Sequence, residues 1–229
     1  MSKSENPLIT LVLIAKAPRP GHVKTRLHTS FSHRQASDIY QQFLSRARAL
    51  AERWQQNCPD IRLFLAYDPP DQPEFWNHWH AWKRLPQSSG TLGDRLLAVI
   101  DAITLAPADA VIFIGADAPE LSLQHLDWAA ENLLANHAVV VPALDGGYVL
   151  IGIHSSSRVL LTNIPWGTDK VFSKTQEIAR AAGLTLAQSL PISDVDTADD
   201  LAGLVARLLC SSHESDRAMA LALMSITNG

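Results

Sequence analysis

The chain alternates short, nearly continuous apolar runs with longer stretches whose apolar residues recur every three or four positions. Leu8–Ala15 (LITLVLIA), Ile61–Tyr67 (IRLFLAY) and Ala110–Gly115 (AVIFIG) are of the first kind. Such runs suit strands covered on both faces. Arg34–Trp54 is of the second kind, with Ala36, Ile39, Tyr40, Phe43, Leu44 and Ala47 forming one apolar stripe of a helix. Further helices are expected over Glu74–Trp82, Asp94–Ile103, Leu123–Ala135, Asp169–Ala182, Ala198–Leu209 and Arg217–Ser225. Ser122 suits the N-cap of the third of these, and Gly183 the C-terminal cap of the fourth. Additional strands are expected at Lys83–Pro86, Ala138–Pro142, Tyr148–Ile153 and Leu184–Leu190. The turn Asp145-Gly146-Gly147 joins two of them as a hairpin.

Strands alternating with helices predict an α/β fold: three layers, α/β/α, around a mostly parallel central sheet. No repeat, low-complexity stretch or Pro/Gly/Ser-rich linker interrupts the pattern, so residues 1–229 are expected to form a single domain.

Composition narrows the function. Hydrophobic residues make up 47%, enough for a substantial core. A net charge of -4 excludes a general nucleic-acid binder, whose surface is basic, while leaving room for a local basic pocket. Leu8–Ala15 is too short to span a membrane, which takes roughly 20 apolar residues. Most nearby basic residues follow that run rather than lead it, unlike a signal peptide. Cys58 and Cys210 form neither a zinc spacing nor a redox pair, consistent with a reducing, cytoplasmic setting.

In an open α/β sheet, ligands bind beyond the carboxyl ends of the strands. Unusual segments follow three of the predicted strands. KAPRPGHVKTRL, after the first, gathers Lys16, Arg19, Lys24 and Arg26 around Gly21. Cations and loop amides near a helix start can hold a di- or triphosphate. Lys24 and Arg26 can stabilise charge on a departing diphosphate. It is neither a Walker A loop nor a G-x-G-x-x-G fingerprint. In Gly115-Ala116-Asp117-Ala118-Pro119, small residues around Asp117 leave space for a phosphate-bound Mg²⁺ or Mn²⁺; a plain turn cap explains Asp117 as well. Asp145-Gly146-Gly147-Tyr148 allows close backbone approach to a ligand, but a tight turn accounts for it equally. In DVDTADDL, Thr197 caps a helix with Asp199 and Asp200 in its first turn. That leaves Asp196 either as a second metal ligand or as part of a solvated helix start.

The tryptophans and histidines of Trp76–Trp82 read as packing with a wet rim. Trp166 and Thr168, just before a helix, suit an acceptor wall or a loop anchor.

KAPRPGHVKTRL, GTLGDRL (Gly90–Leu96), IGADAPEL (Ile114–Leu121), PALDGGYVLIG (Pro142–Gly152), PWGTDKV (Pro165–Val171) and DVDTADDL (Asp194–Leu201) together resemble a bacterial family of GT-A-type glycosyltransferases of unspecified substrate. More distantly, the chain is similar to phospholactate guanylyltransferases and molybdenum-cofactor nucleotidyltransferases. The resemblance implies a nucleotide-diphospho-sugar transferase fold and a metal-dependent transferase with a nucleotide or nucleotide-sugar donor and a small-molecule acceptor. It implies metal ligands at Asp117 and Asp196 and phosphate contacts at Lys24 and Arg26. Gly93, Asp94 and Arg95 are expected near the base or ribose. Asp145, Gly146, Gly147 and Tyr148, with Trp166 and Thr168, are expected on the acceptor side, Asp145 as a base. Asp117 lacks the D-x-D partner of many glycosyltransferases, since Gly115 stands two residues earlier. The alternative is a non-catalytic nucleotide-binding or interaction protein that retains the fold.

Overall fold

The computed structural model describes residues 8–69, 71–103, 105–106 and 109–228. Seven strands are present among the described residues: β1 (Ile9–Lys16), β2 (Arg62–Asp68), β3 (Lys83–Pro86), β4 (Ala110–Gly115), β5 (Ala138–Pro142), β6 (Tyr148–His154) and β7 (Leu186–Gln188). They form one sheet in the order β3-β2-β1-β4-β6-β5-β7, with β3 and β7 as its edges. Among the described strands only β6 runs antiparallel to its neighbours. The expected β5–β6 hairpin forms, with a bulge between Val141 and Pro142.

Among the described residues six α-helices accompany the sheet: α1 (His33–Asn57), α2 (Leu92–Ala102), α3 (Leu123–Leu133), α4 (Val171–Ala181), α5 (Ala198–Leu209) and α6 (Glu214–Asn228). Side chains alternate across the strands, so the central strands feed two cores. Leu11, Leu13, Ile112 and Ile114 meet Tyr40, Leu44 and Trp54 of α1 and Leu126 of α3. Val12, Phe64, Val111 and Phe113 meet Leu96 and Ile100 of α2, Leu160 and Leu161 of the 3-10 helix Ser155–Leu161, and Ala179 of α4. The result is a three-layer α/β/α fold. A third cluster packs α5 and α6 against the far side of α1 through Phe43, Leu204 and Leu223.

Local signals set the helix ends. Ser32/Gln35, Thr91/Asp94 and Thr197/Asp200 are reciprocal capping boxes on α1, α2 and α5. The Thr91 box starts α2 two residues before the expected Asp94. Gly183, at φ +67°, ends α4: its N–H donates to the Arg180 carbonyl and that of Leu184 to the Ala179 carbonyl.

Two expectations change. No α-helix spans Glu74–Trp82; a 3-10 helix at Pro73–Trp76 continues as single turns in which Asn77, Trp79 and Trp82 each bond three residues back. Trp76, Trp79 and Trp82 recur every third position, which is the 3-10 period and stacks them on one side. All three are buried, edge to face at 5.7 and 5.1 Å, while His78 and His80 face outward. The last strand also shrinks to Leu186–Gln188, which lies parallel to Ala138–Val140 of β5. No helix among the described residues is long and apolar enough to cross a membrane.

Candidate functional site

The sheet order reverses beside β1, whose neighbours are β2 on one side and β4 on the other. The carboxyl ends of β1 and β4 therefore open a crevice at a topological switch point, where such sheets bind ligands. The loop after β1 (residues 17–24) and the loop after β4 (residues 116–121) both leave into it.

Two buried apolar residues bring distant charges to this crevice. Leu27 and Val195 are fully buried in the α1/α5/α6 cluster. Leu27 seats the 3-10 helix Thr25–Thr29 and so places Lys24 and Arg26. Val195 seats the segment carrying Asp194 and Asp196, and its N–H donates to the Asp117 carbonyl at 3.0 Å. The loop after β4 is tied down in turn: Arg46 of α1 donates to the Pro119 carbonyl, and Arg207 of α5 forks onto Glu120 at 2.8 and 2.6 Å.

Asp117 and Asp196 meet, and Lys24 stands between them. Its Nζ lies 2.5 Å from Asp117 Oδ1, 3.1 Å from Asp196 Oδ1 and 2.7 Å from the Val195 carbonyl. Arg26 takes the other oxygen of Asp196 at 2.8 Å. Burial works against the Lys24 charge, but Asp117 and then Asp196 outweigh it and hold the ammonium above its ordinary value. The carboxylates offer the hard oxygens that Mg²⁺ and Mn²⁺ take, and two carboxylates with substrate phosphates form a usual set. Among the described residues no group of three or more His, Cys, Asp or Glu is arranged to hold a metal by protein alone.

A cavity of about 450 Å³ opens here, lined by Lys16, His22, Lys24, Arg26 and Arg95 with Asp117 and Asp196. Two further lining residues escaped the sequence reading of the site. Gln87 is buried; its Nε2 donates to the carbonyls of Ala15 and Ala66, and its Oε1 accepts from Arg95. Tyr40 Oη accepts from the Lys16 N–H at 3.0 Å, and burial followed by the Asp117 charge pushes this phenol up. The signal for Gln87 was faint: one polar residue directly after a strand and before GTLGDRL.

A second cavity, of about 290 Å³, adjoins the first and shares Ile14, Leu92 and Asp117 with it. Its walls are mostly apolar, including Leu96, Phe113, Val149 and Ile151, with Asp145, Gly147, Tyr148 and Asp194 also lining it. Its described lining contains no Lys, Arg or His. Asp194, quoted within its motif but given no role, is pushed up to about 6 by burial, then by Asp145 and Asp196. Asp145 Oδ1 accepts from the Gly147 N–H at 2.8 Å, the turn geometry its sequence suggested.

Several expected site residues line neither cavity. Arg19 turns away to Gln72 at 3.3 Å. Gly21, at φ +85°, shapes the loop without lining the crevice. Gly93 lies beneath Trp166 and the Leu161 carbonyl, so its missing side chain serves packing. Asp94 is engaged in capping Thr91, whose hydrogen bonds pull its carboxyl down. Gly146 abuts the backbone of Asp169. Trp166 packs edge-on to Tyr148 at 5.9 Å, and Thr168 closes its own turn onto Pro165.

The chain is similar to a proposed nucleotide-diphospho-sugar transferase from Desulfovibrio desulfuricans, with 28% identity, a TM-score of 0.83 and 97% of each chain covered. More distant structures share the fold. CMP:2-keto-3-deoxy-manno-octonic acid synthetase complexed with CTP matches at 12% identity and TM-score 0.52, over 87% of this chain and 98% of its own. Rv0371C of Mycobacterium tuberculosis complexed with manganese matches at 14% and 0.52, over 86% and 97%. No curated protein matches the chain. The family described as "uncharacterized protein conserved in bacteria (DUF2064)" matches residues 50–168, more than half of the length. The chain thus has the nucleotide-diphospho-sugar transferase fold and belongs to the DUF2064 family.

Proposed function

We propose that the chain is a metal-dependent transferase whose donor is a nucleotide or nucleotide-sugar. The observation that carries this reading is the convergence of Lys16, Lys24, Arg26 and Arg95 with Asp117 and Asp196 on one cavity at the switch point of the sheet. Fold-mates complexed with CTP and with manganese support it.

In this reading the donor phosphates lie among the four cations, which neutralise the charge on the departing pyrophosphate or nucleoside diphosphate. Gln87, bonded to Arg95, faces the nucleoside end. Asp117 and Asp196 hold Mg²⁺ or Mn²⁺, which when bound polarises the donor's phosphate oxygens. The acceptor takes the second cavity, and Asp117, common to both, marks where the partners meet. Apolar walls, carboxylates and the lack of a lining cation suit a neutral or cationic acceptor with an apolar part, with Asp145 beside its nucleophile.

The test is calorimetric binding of nucleoside tri- and diphosphates and nucleotide-sugars, with Mg²⁺, Mn²⁺ or EDTA, to wild type and to Arg26→Ala and Arg95→Ala. Binding weakened about tenfold or more in either variant is expected for a lost charge-assisted phosphate contact. Folded wild type that binds none of these ligands overturns the proposal. Binding with no turnover of any donor leaves the non-catalytic alternative.

A further inference from the structure

Lys24 and a divalent cation compete for the same oxygens. Asp117 Oδ1, Asp196 Oδ1 and the Val195 carbonyl converge on Lys24 Nζ at 2.5, 3.1 and 2.7 Å. An ammonium has three donors, and three acceptors surround this one. The side chain is only 4% exposed, so it is held there rather than swinging in solvent. The backbone is also committed. Lys24 sits at φ +47°, ψ +47°, a left-handed conformation unfavourable to any residue with a Cβ. Such strain persists only where surrounding contacts over-determine it.

We infer that Lys24 is a built-in counter-ion that closes the Asp117–Asp196 pair to free divalent cations, and that the metal enters only together with the donor's phosphates. The inference rests on the reading of Asp117 and Asp196 as the metal pair. Lys24 and Arg26 already balance the two carboxylates, so a bare dication gains no net attraction from the cluster and meets a buried ammonium. A metal–nucleotide complex supplies what a bare ion lacks. Its phosphates give Lys24 new anionic partners as the carboxylates pass to the metal, and no buried charge is left unpaired. Lys24 already lines the basic cavity where those phosphates would lie. Arg26 remains on Asp196 Oδ2 and keeps that carboxylate aimed during the exchange.

The experiment is calorimetric titration of MnCl₂, without nucleotide, into wild type, Lys24→Met, Lys24→Gly and the double variant Lys24→Met/Asp196→Asn. Glycine is included because it fits φ +47° and removes the ammonium without keeping the strain. Wild type is expected to bind Mn²⁺ weakly. Either single variant is expected to bind it about tenfold tighter or more, since two carboxylates then lack a central cation. The double variant is expected to lose that gain. Single variants no tighter than wild type overturn the inference. Should both single variants unfold alone, melting is repeated with millimolar Mn²⁺: recovery of a cooperative transition supports the inference, and continued unfolding overturns it. Binding of a nucleoside triphosphate together with Mn²⁺ to wild type reports on the donor reading separately. Triphosphate binding with no gain in the single variants sinks only the counter-ion role.

Discussion

Gln87 is 5% exposed and joins β1 and β2 at the floor of the basic cavity through the carbonyls of Ala15 and Ala66. Gln87→Leu keeps most of the volume but removes the amide's bonds to both carbonyls and to Arg95. A loss of about 1–3 kcal/mol is expected in urea unfolding, at about 1 kcal/mol for each buried hydrogen bond lost; an unchanged midpoint at equal slope would show that water replaces the amide. Gly93 gives the opposite case, a residue whose value is absence. In the first turn of α2, Ala is ordinarily better than Gly by about 1 kcal/mol. Here an added Cβ runs into the Leu161 carbonyl and the Trp166 ring. Gly93→Ala is therefore expected to destabilise by about 1–3 kcal/mol, the usual range for overpacking. Stabilisation in thermal unfolding would mean that Trp166 yields and that the glycine answers to something other than packing.

Where an element rests on its own residues, it was legible before the fold was known. Ala110–Gly115 and Ala198–Leu209 match the expected bounds because an unbroken apolar run and a Thr197 cap are local signals. The Trp76–Trp82 segment differs because its tryptophans recur every three positions, the 3-10 period, rather than at α-helical spacing. In the site, the sequence brought Lys24, Arg26, Asp117 and Asp196 into view but not their partners. Lys24 meets Val195 and Asp196 across some 170 positions, and only the seating of Leu27 and Val195 in one cluster creates that contact. Arg19, with the same charge in the same loop, finds Gln72 instead. The link between α1 and α6 was equally hidden. Asp216 accepts from Arg46 at 2.7 Å and from Ser211 Oγ at 2.6 Å. Burial pushes its carboxyl up, but these bonds outweigh it and hold the group below the ordinary value. Asp216→Ala is expected to cost about 2 kcal/mol near neutral pH, typical of hydrogen bonds to a charged group. A depressed carboxyl contributes fully above its unfolded value, about pH 4, and loses that contribution as pH falls through its folded one. The gap between variant and wild type should therefore close in acid. A gap in urea midpoints that stays constant from pH 7 to about pH 2 would contradict the assignment.

At the scale of the whole molecule, a donor bound at the switch point touches segments from β1 to α5 and so reports on the entire fold. A ligand at about a hundred times its dissociation constant adds about 2.7 kcal/mol to stability. For a chain of this size that corresponds to a rise of about 5–10 °C in melting temperature. Absence of any rise under saturating donor and metal would count against that cavity as the binding place. The two edges of the sheet bear on a different matter, what happens when molecules crowd. β3 carries Lys83 and Arg84 and ends at Pro86, while β7 has three residues and is followed within three positions by Pro191. Unpaired strand edges recruit strands from other chains, and short length, cations and proline are the standard deterrents. The parallel core, rich in Val, Ile and Leu, is thereby fenced at both flanks against templated aggregation. Lys83→Val/Arg84→Val should scatter light at lower protein concentration than wild type, with little change in the unfolding midpoint of the dilute molecule.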